Sequence, residues 1–351
     1  MYYFDNSATT RPKNEVIDTF LNYMNVTFDK EMIDNEKNVL LNILGCDYDV
    51  IYTSGSTEAN NMAIKGIAFN NLDTKGHIIS IRTEHSSVIE TLKYLEKLGF
   101  VIDYVDLIDG IVDLNHLKKL LLFNPILVTI SSVNSETGVI QPIEEIGKLL
   151  KEKNILFHCD MTQSMGKIKL PFSNIDLISF SGHKIGGLKG IGVLLKNKNI
   201  NLKPIIYGKR SYSYGLIRSL NTALSLAFTN IDYNYKYISN INRKLREDLN
   251  NIEWIHINSH DKCLPYILNI SILDVKPETF LHKLESQNIF ISTKSACSSD
   301  GKMSSSVYYL TNNEKYASSS IRISLSCDNT IKDIRFLVEE IVLCYNDIVK
   351  L

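Results

Sequence analysis

The sequence predicts an α/β protein, with a mostly parallel sheet in a large domain followed by a smaller α+β domain toward the C-terminus. Three observations lead there. Between about residues 50 and 200, short β-branched runs alternate with segments of helical periodicity, the pattern of a doubly wound sheet. After a long polar helix the rhythm changes to strand, helix, strand, strand, helix. Several of the early strands also end in glycine- or hydroxyl-rich turns, where open α/β sheets hold their ligands.

The strands expected from β-branched content are Val50-Ile51-Tyr52-Thr53, Ile78 to Ile81, Val101 to Val105, Ile126 to Val133, Ile155 to His158, Asp176 to Ser181 and Gly192 to Leu195. Between them Ser86 to Leu98 places Ile89, Leu92, Leu95 and Leu98 along one side, and Ile143 to Lys153 does the same with Ile146, Leu149 and Leu150. The second domain is expected from a helix over Tyr233 to Leu249, a strand Tyr266 to Leu273, a helix Pro277 to Asn288, strands Ile289 to Thr293 and Ile321 to Leu325, and a terminal helix from about Thr330. The Ser-rich stretch Ser295 to Ser306, with Asp300-Gly301, reads as a loop between two of those strands.

Composition narrows the function. At 351 residues the chain is long enough for a large core and about two domains. With 38 basic and 39 acidic residues there is no electrostatic reason to expect nucleic acid or a membrane surface. The start, Met1-Tyr2-Tyr3-Phe4, has no basic n-region, and no apolar run has the length of a membrane span, so a cytoplasmic setting is expected. Six scattered cysteines without a Cys-x-x-Cys pair suit reduced thiols, and no metal site is expected.

Five segments can carry chemistry, and each has an ordinary alternative. Ser181-Gly182-His183-Lys184 follows an apolar strand and puts a lysine at its carboxyl end; such a lysine can equally be a solvated charge. Asp160 ends the strand Phe157-His158-Cys159, where a carboxylate can keep a pyridine nitrogen protonated or merely cap a turn. Thr53-Ser54-Gly55-Ser56-Thr57-Glu58 brings hydroxyls and a helix N-terminus together, as a phosphate requires, but also has the form of a helix cap. His85, after the strand at Ile78, can stack on a ring, relay protons or cap a helix. Cys297 lies among polar neighbours in Ser295-Ala296-Cys297-Ser298-Ser299, the setting of an accessible thiolate.

The order Gly55-Ser56-Thr57, His85, Asp160, Gln163, Lys184, Cys297, Arg322 resembles that of the cysteine desulfurases, in the class V branch of fold type I pyridoxal-phosphate enzymes. The match runs from Phe4-Asp5-Asn6-Ser7-Ala8-Thr9-Thr10 to Ser320-Ile321-Arg322-Ile323-Ser324-Leu325. The resemblance implies a fold type I transferase with a large domain over residues 15–245 and a small domain formed by 1–14 and 246–351. It implies pyridoxal 5'-phosphate held as a Schiff base on Lys184, with Ser56, Thr57, Ser181 and His183 on the phosphate. His85 would stack over the ring and take part in catalysis, while Asp160 pairs with the pyridinium and Gln163 with the phenolic oxygen. Arg322 would bind the substrate carboxylate, and Cys297 would take sulfur from L-cysteine as a persulfide, leaving L-alanine. A homodimer and a sulfur-acceptor protein, either an iron-sulfur scaffold or a tRNA thiolase, are implied as partners.

Departures from the pattern are local. Asn134-Ser135 stands where the family has two asparagines that approach cofactor and substrate, so Asn134 is expected near the substrate and Ser135 near the cofactor. Arg218-Ser219-Leu220-Asn221-Thr222 stands for Arg-Ser-Gly-Thr, which makes Thr222 the candidate for a phosphate contact across the dimer. A Gly-Asn-Pro-Ser-Ser-x-His segment is missing before Thr53, and Lys294 and Ser326 replace glycines. The alternatives are another class V enzyme, such as a selenocysteine lyase or an aminotransferase, and a non-catalytic docking scaffold. Cys297 in its Ser-rich loop favours the desulfurase.

Overall fold

The computed structural model describes residues 1–169, 171–208, 211–293 and 303–350. Strands β1 (Asp49–Thr53), β2 (His77–Ser80), β3 (Val101–Tyr104), β4 (Leu127–Thr129), β5 (Leu156–Asp160), β6 (Leu177–Ser181) and β7 (Gly192–Lys196) form one sheet in the order β1-β7-β6-β5-β4-β2-β3. Strands β2 to β6 pair in parallel, and β7 runs antiparallel to both β1 and β6. The chain is therefore a mostly parallel α/β protein, as the alternation predicted.

Side chains alternate across this sheet with period two. Val128, Phe157, Cys159, Ile178, Phe180, Val193 and Leu195 face one apolar cluster, and Leu127, Leu177 and Leu194 face another. The first cluster is closed by α1 (Asn14–Tyr23), α2 (Lys30–Leu44), the helix Ile143–Glu152 and α5 (Tyr214–Thr229), through Val16, Leu40, Ile146 and Leu220. The second is closed by α3 (Ser56–Ala68) and α4 (Ser86–Lys97), through Ala59, Ala63, Ile64 and Ile67 and through Val88, Leu92 and Leu95. Both faces of the parallel strands are covered, as burial of their apolar runs requires.

Two local features set the site. Gly192 pairs with Thr53, and a Cβ on it would stand 2.6 Å from the Gly55 backbone, so glycine there lets the turn into α3 lie against the sheet. The strand expected over Ile126 to Val133 is shorter, Leu127–Thr129. Beyond it Ile130 and Ser132 still donate to His158 and Asp160 before the chain reverses through a turn at 134–138.

A third cluster gathers the two ends of the chain. Strands Ile255–Ile257, Ile267–Ile272 and Ser320–Ser324 make an antiparallel sheet, and Tyr2–Tyr3 runs parallel to Ile289–Phe290. Phe4 is buried there with Ile270, Ile323 and Leu337. Ile238, Ile241, Leu245 and Leu249 of the helix Ile231–Leu249 join the same cluster, so the boundary expected at 245 falls inside that helix. Helices α1, α2 and α5 were not anticipated.

Candidate active site

The carboxyl ends of β2, β4, β5 and β6 surround a cavity of about 240 Å³. Its lining includes Ser7, Ser56, His85, Ser135, Asp160, Gln163, Lys184 and Arg322, from segments far apart in sequence. Seven of the expected residues therefore meet in one place. Thr57, Ser181, His183, Asn134 and Thr222 are not part of this lining.

Asp160 is the last residue of β5, and its buried carboxylate is held by two donors while it lines the cavity. Oδ1 accepts from the Thr162 backbone N–H at 2.9 Å and Oδ2 from the Asn60 amide at 2.7 Å. His85 sits at the N-cap of α4, where its Nδ1 accepts from the Ser87 backbone N–H at 3.2 Å and lies 2.8 Å from Ser87 Oγ. It is thus a cap and a pocket residue at once. Burial lowers its pKa, Asp160 and Glu136 pull it up, and Lys184 pushes it down. The neighbouring Glu84 accepts from the Ser131 N–H, and burial pushes its carboxyl up to about 8.

Lys184 closes the turn Gly182–Lys184 after β6 and donates to the Ser7 and Ala8 carbonyls, both at 2.6 Å. Burial, followed by the charge of Arg322, lowers its pKa to about 8. Beside it lies Lys167, which the sequence reading missed. It is buried, donates to Gln163 Oε1 at 3.0 Å, and is lowered to about 7 by burial and then by Lys184 and Arg322. Its spacing of four from Gln163 was the available signal. Gln163 in turn donates to the Ser7 carbonyl at 3.1 Å. Behind Lys184 a second cavity of about 130 Å³ is lined by Arg11, Lys13, Lys167 and Cys327 among others.

Arg322, on the strand Ser320–Ser324, donates from Nη1 to the Ser135 carbonyl at 3.0 Å. Nη2 reaches Asp5 at 2.8 Å and Ser292 Oγ at 2.6 Å. Its buried Nε has no partner among the described residues. Ser135 lines the cavity and holds Arg322 through its backbone. Asn134 departs from its expected substrate role: its Oδ1 accepts from Glu136 N, Thr137 N and Thr137 Oγ1, and its amide donates to Thr83 O and Ser306 Oγ. Its oxygen is spent on the turn and its amide protons on Thr83 and Ser306.

Arg218 and Ser219 lie inside α5, so Thr222 is mid-helix, its hydroxyl 3.2 Å from both the Arg218 carbonyl and Thr19 Oγ1. Arg218 pairs with the buried Glu36 of α2 at 2.7 Å, which locks α2 onto α5. Ser181 is buried, its Oγ 3.6 Å from where a Cβ on Gly55 would stand, beside the turn into α3. His183 lies 3.2 Å from Thr9 Oγ1, and burial followed by the charge of Lys184 lowers its pKa to about 4. Thr57 is exposed in the first turn of α3. Cys297 lies outside the described residues. Among the described residues no group of three or more His, Cys, Asp or Glu is arranged to hold a metal, and no helix is long and apolar enough to cross a membrane.

The arrangement offers an amine of reduced basicity, a carboxylate fixed by two donors, an imidazole, a hydroxyl at the start of a helix and an arginine with an unpartnered buried nitrogen. Such a donor set fits a protonatable ring carrying a phosphate, with a carboxylate ligand beside it.

The model of the aminotransferase class-V family matches residues 2–212 and 211–337. The cysteine desulfurase IscS of Buchnera aphidicola subsp. Schizaphis graminum is 36% identical over 97% of this chain and 91% of its own length. Among solved structures, a NifS-like protein superposes with a TM-score of 0.90 at 28% identity, covering 98% of this chain and 99% of that one. A structure described as SspA in complex with cysteine gives 0.80 at 28% identity over 93% of this chain and 99% of that one.

Proposed function

Since the chain belongs to the class V aminotransferase family and, within it, to the cysteine desulfurases, we propose that it holds pyridoxal 5'-phosphate on Lys184 and removes sulfur from L-cysteine, giving L-alanine and a persulfide on Cys297. The observation that supports this reading most is the meeting of Lys184, Asp160, His85, Gln163 and Arg322 around one cavity. Bound there, the cofactor supplies an electron sink for bond breaking at the substrate α-carbon.

The chain's own groups do the rest. Lys184, lowered to about 8, has a neutral fraction near physiological pH and can act as a nucleophile and then as a base. Asp160, held by two donors, keeps a proton on a ring nitrogen facing it. Ser56 and Thr57 at the start of α3, with Ser181 beside that turn and His183 after β6, hold the phosphate, and Gln163 bonds the phenolic oxygen. Arg322 receives the substrate carboxylate, with Nε unpartnered and Asp5 beside it. The Cys297 thiolate attacks the substrate sulfur, so that an S–S bond forms as the C–S bond breaks and the released α-amino acid skeleton takes up protons as alanine. A homodimer, a cytoplasmic setting, and an iron-sulfur scaffold or a tRNA-thiolating enzyme as acceptor belong to the same proposal. So does Thr222 as a phosphate contact across that dimer; Asn134, whose polar atoms are all bonded within the chain, does not.

The test is Cys297→Ser. The variant should keep the yellow colour of the bound cofactor and still bind cysteine, yet release neither sulfide nor alanine above background. Turnover at the wild-type rate would overturn the reading.

A further inference from the structure

Period two puts Thr129, His158, Asp160 and Ser179 on the same sheet face as Leu127 and Leu177, under α3. These polar side chains are buried in an otherwise apolar layer, and α3 meets them with Asn60, which has no exposed surface. Because Asp160 Oδ2 can only accept, the Asn60 amide nitrogen must face it, and that same nitrogen lies 2.9 Å from Ser87 Oγ. Asn60 Oδ1 therefore points the other way and accepts from Ser179. Ser179 Oγ then accepts from His158 Nε2 at 3.0 Å, and because burial lowers His158 to about 4 the ring is neutral and its Nδ1 accepts from Thr129 Oγ1 at 2.8 Å. The acceptor-only carboxylate fixes the bonds through Asn60 and Ser179, and the neutral imidazole fixes the last.

The other branch ends at His85. Ser87 Oγ accepts from Asn60, which leaves its single proton free for His85 Nδ1 at 2.8 Å. The Ser87 backbone N–H, which can only donate, reaches the same nitrogen at 3.2 Å. Two donors converge on Nδ1, which leaves the lone pair there and the ring proton on Nε2. The capped edge of the ring is turned to α4, so Nε2 is on the opposite edge of a residue that lines the cavity.

We propose that Ser87 and Asn60 are positioning residues that hold His85 in its Nε2–H tautomer, so that the imidazole serves the site as a hydrogen-bond donor and not as a general base. The role of base is left to Lys184. This deepens the site read above and rests on it for its catalytic meaning. The charged groups facing the ring are Asp160 from β5, Glu136 from the turn after β4 and Lys184 after β6; the N-terminus of α4 adds its positive end and disfavours imidazolium.

The tautomer can be read without turnover, by nitrogen NMR of protein carrying labelled histidine, with and without cofactor, the His85 signal assigned by its loss in His85→Gln. At neutral pH Nδ1 should report a bare acceptor and Nε2 a bound proton. In Ser87→Ala the titration of His85 should move up in pH, because a donor that opposes protonation of Nδ1 is gone, and Ser87→Thr should restore it. A wild-type His85 protonated on Nδ1, or an unmoved titration in Ser87→Ala, would overturn the proposal. Neither result depends on desulfurase activity, so failure here is separable from failure of the functional reading.

Discussion

On the α3 side of the cavity Asp160, Asn60, Ser87, Ser179 and His158 pair every acceptor and donor that faces a neighbour. On the opposite side Lys184, Lys167 and Arg322 stand together with Asp5 as the carboxylate in contact, and among the described residues Arg322 Nε has no partner. Burial strengthens both situations in opposite senses, since a satisfied polar network is rigid in a low dielectric while clustered like charges repel. One side is complete in its internal hydrogen bonds and still offers Asp160 and Ser56 to a ligand. The other is incomplete in charge: burial, and then the neighbouring positive charges, lower both lysine pKa values.

The contrast is broken most directly at Lys184. Lys184→Ala should abolish turnover and the covalent adduct that borohydride fixes; mass spectrometry that placed the adduct on Lys167 instead would reverse the assignment of the two lysines. The complete side is probed by Asp160→Ala, which should lower turnover by about a hundredfold or more while cofactor occupancy changes little, because the carboxylate acts on charge that develops in the reaction. Equal losses of occupancy and rate would make Asp160 a structural member of the network only.

The smallest effect sharpens the incomplete side. Lys167 falls from 10.5 to about 7 on folding, so below about 7 the folded protein bears the cost of a buried ammonium. As the pH rises from about 7 to about 10.5 the folded state releases this proton while the unfolded state keeps it, and that cost fades. Cofactor-free Lys167→Met should therefore be more stable than wild type at mildly acid pH, with the advantage shrinking through that window. A constant difference between the two melting curves would show that Lys167 is not held near neutrality.

The fold was legible because two periods are written plainly in the sequence. Leu177 to Ser181 and Gly192 to Lys196 alternate between faces, and Val88, Leu92 and Leu95 repeat at helical spacing. Strand ends marked Asp160 and Lys184 for the same reason. Asn60, Ser87, Ser179 and His158 were passed over, since a polar residue within an apolar run gains meaning only from partners that tertiary packing supplies. The helix around Thr222 was missed because a short motif match drew more notice than the helical repeat of Ile217, Leu220 and Leu224, and that repeat places Arg218 against Glu36. Asn134 was read by its type, while the tight turn that follows it takes its oxygen, and Thr83 and Ser306 take its amide protons.

The N-terminal segment has a consequence for synthesis. The Ser7 and Ala8 carbonyls that hold Lys184, and the Asp5 carboxylate that holds Arg322, belong to a stretch whose backbone is fixed by Ser324: Asn6 donates to its carbonyl, and Ser7 N–H to its hydroxyl at 2.8 Å. A ribosome makes Ser7 317 residues before Ser324. The large sheet can form while translation continues, but the lysine's carbonyl cradle has to wait until Ser324 has left the exit tunnel. A nascent chain thus forms its large sheet before it can seat Lys184.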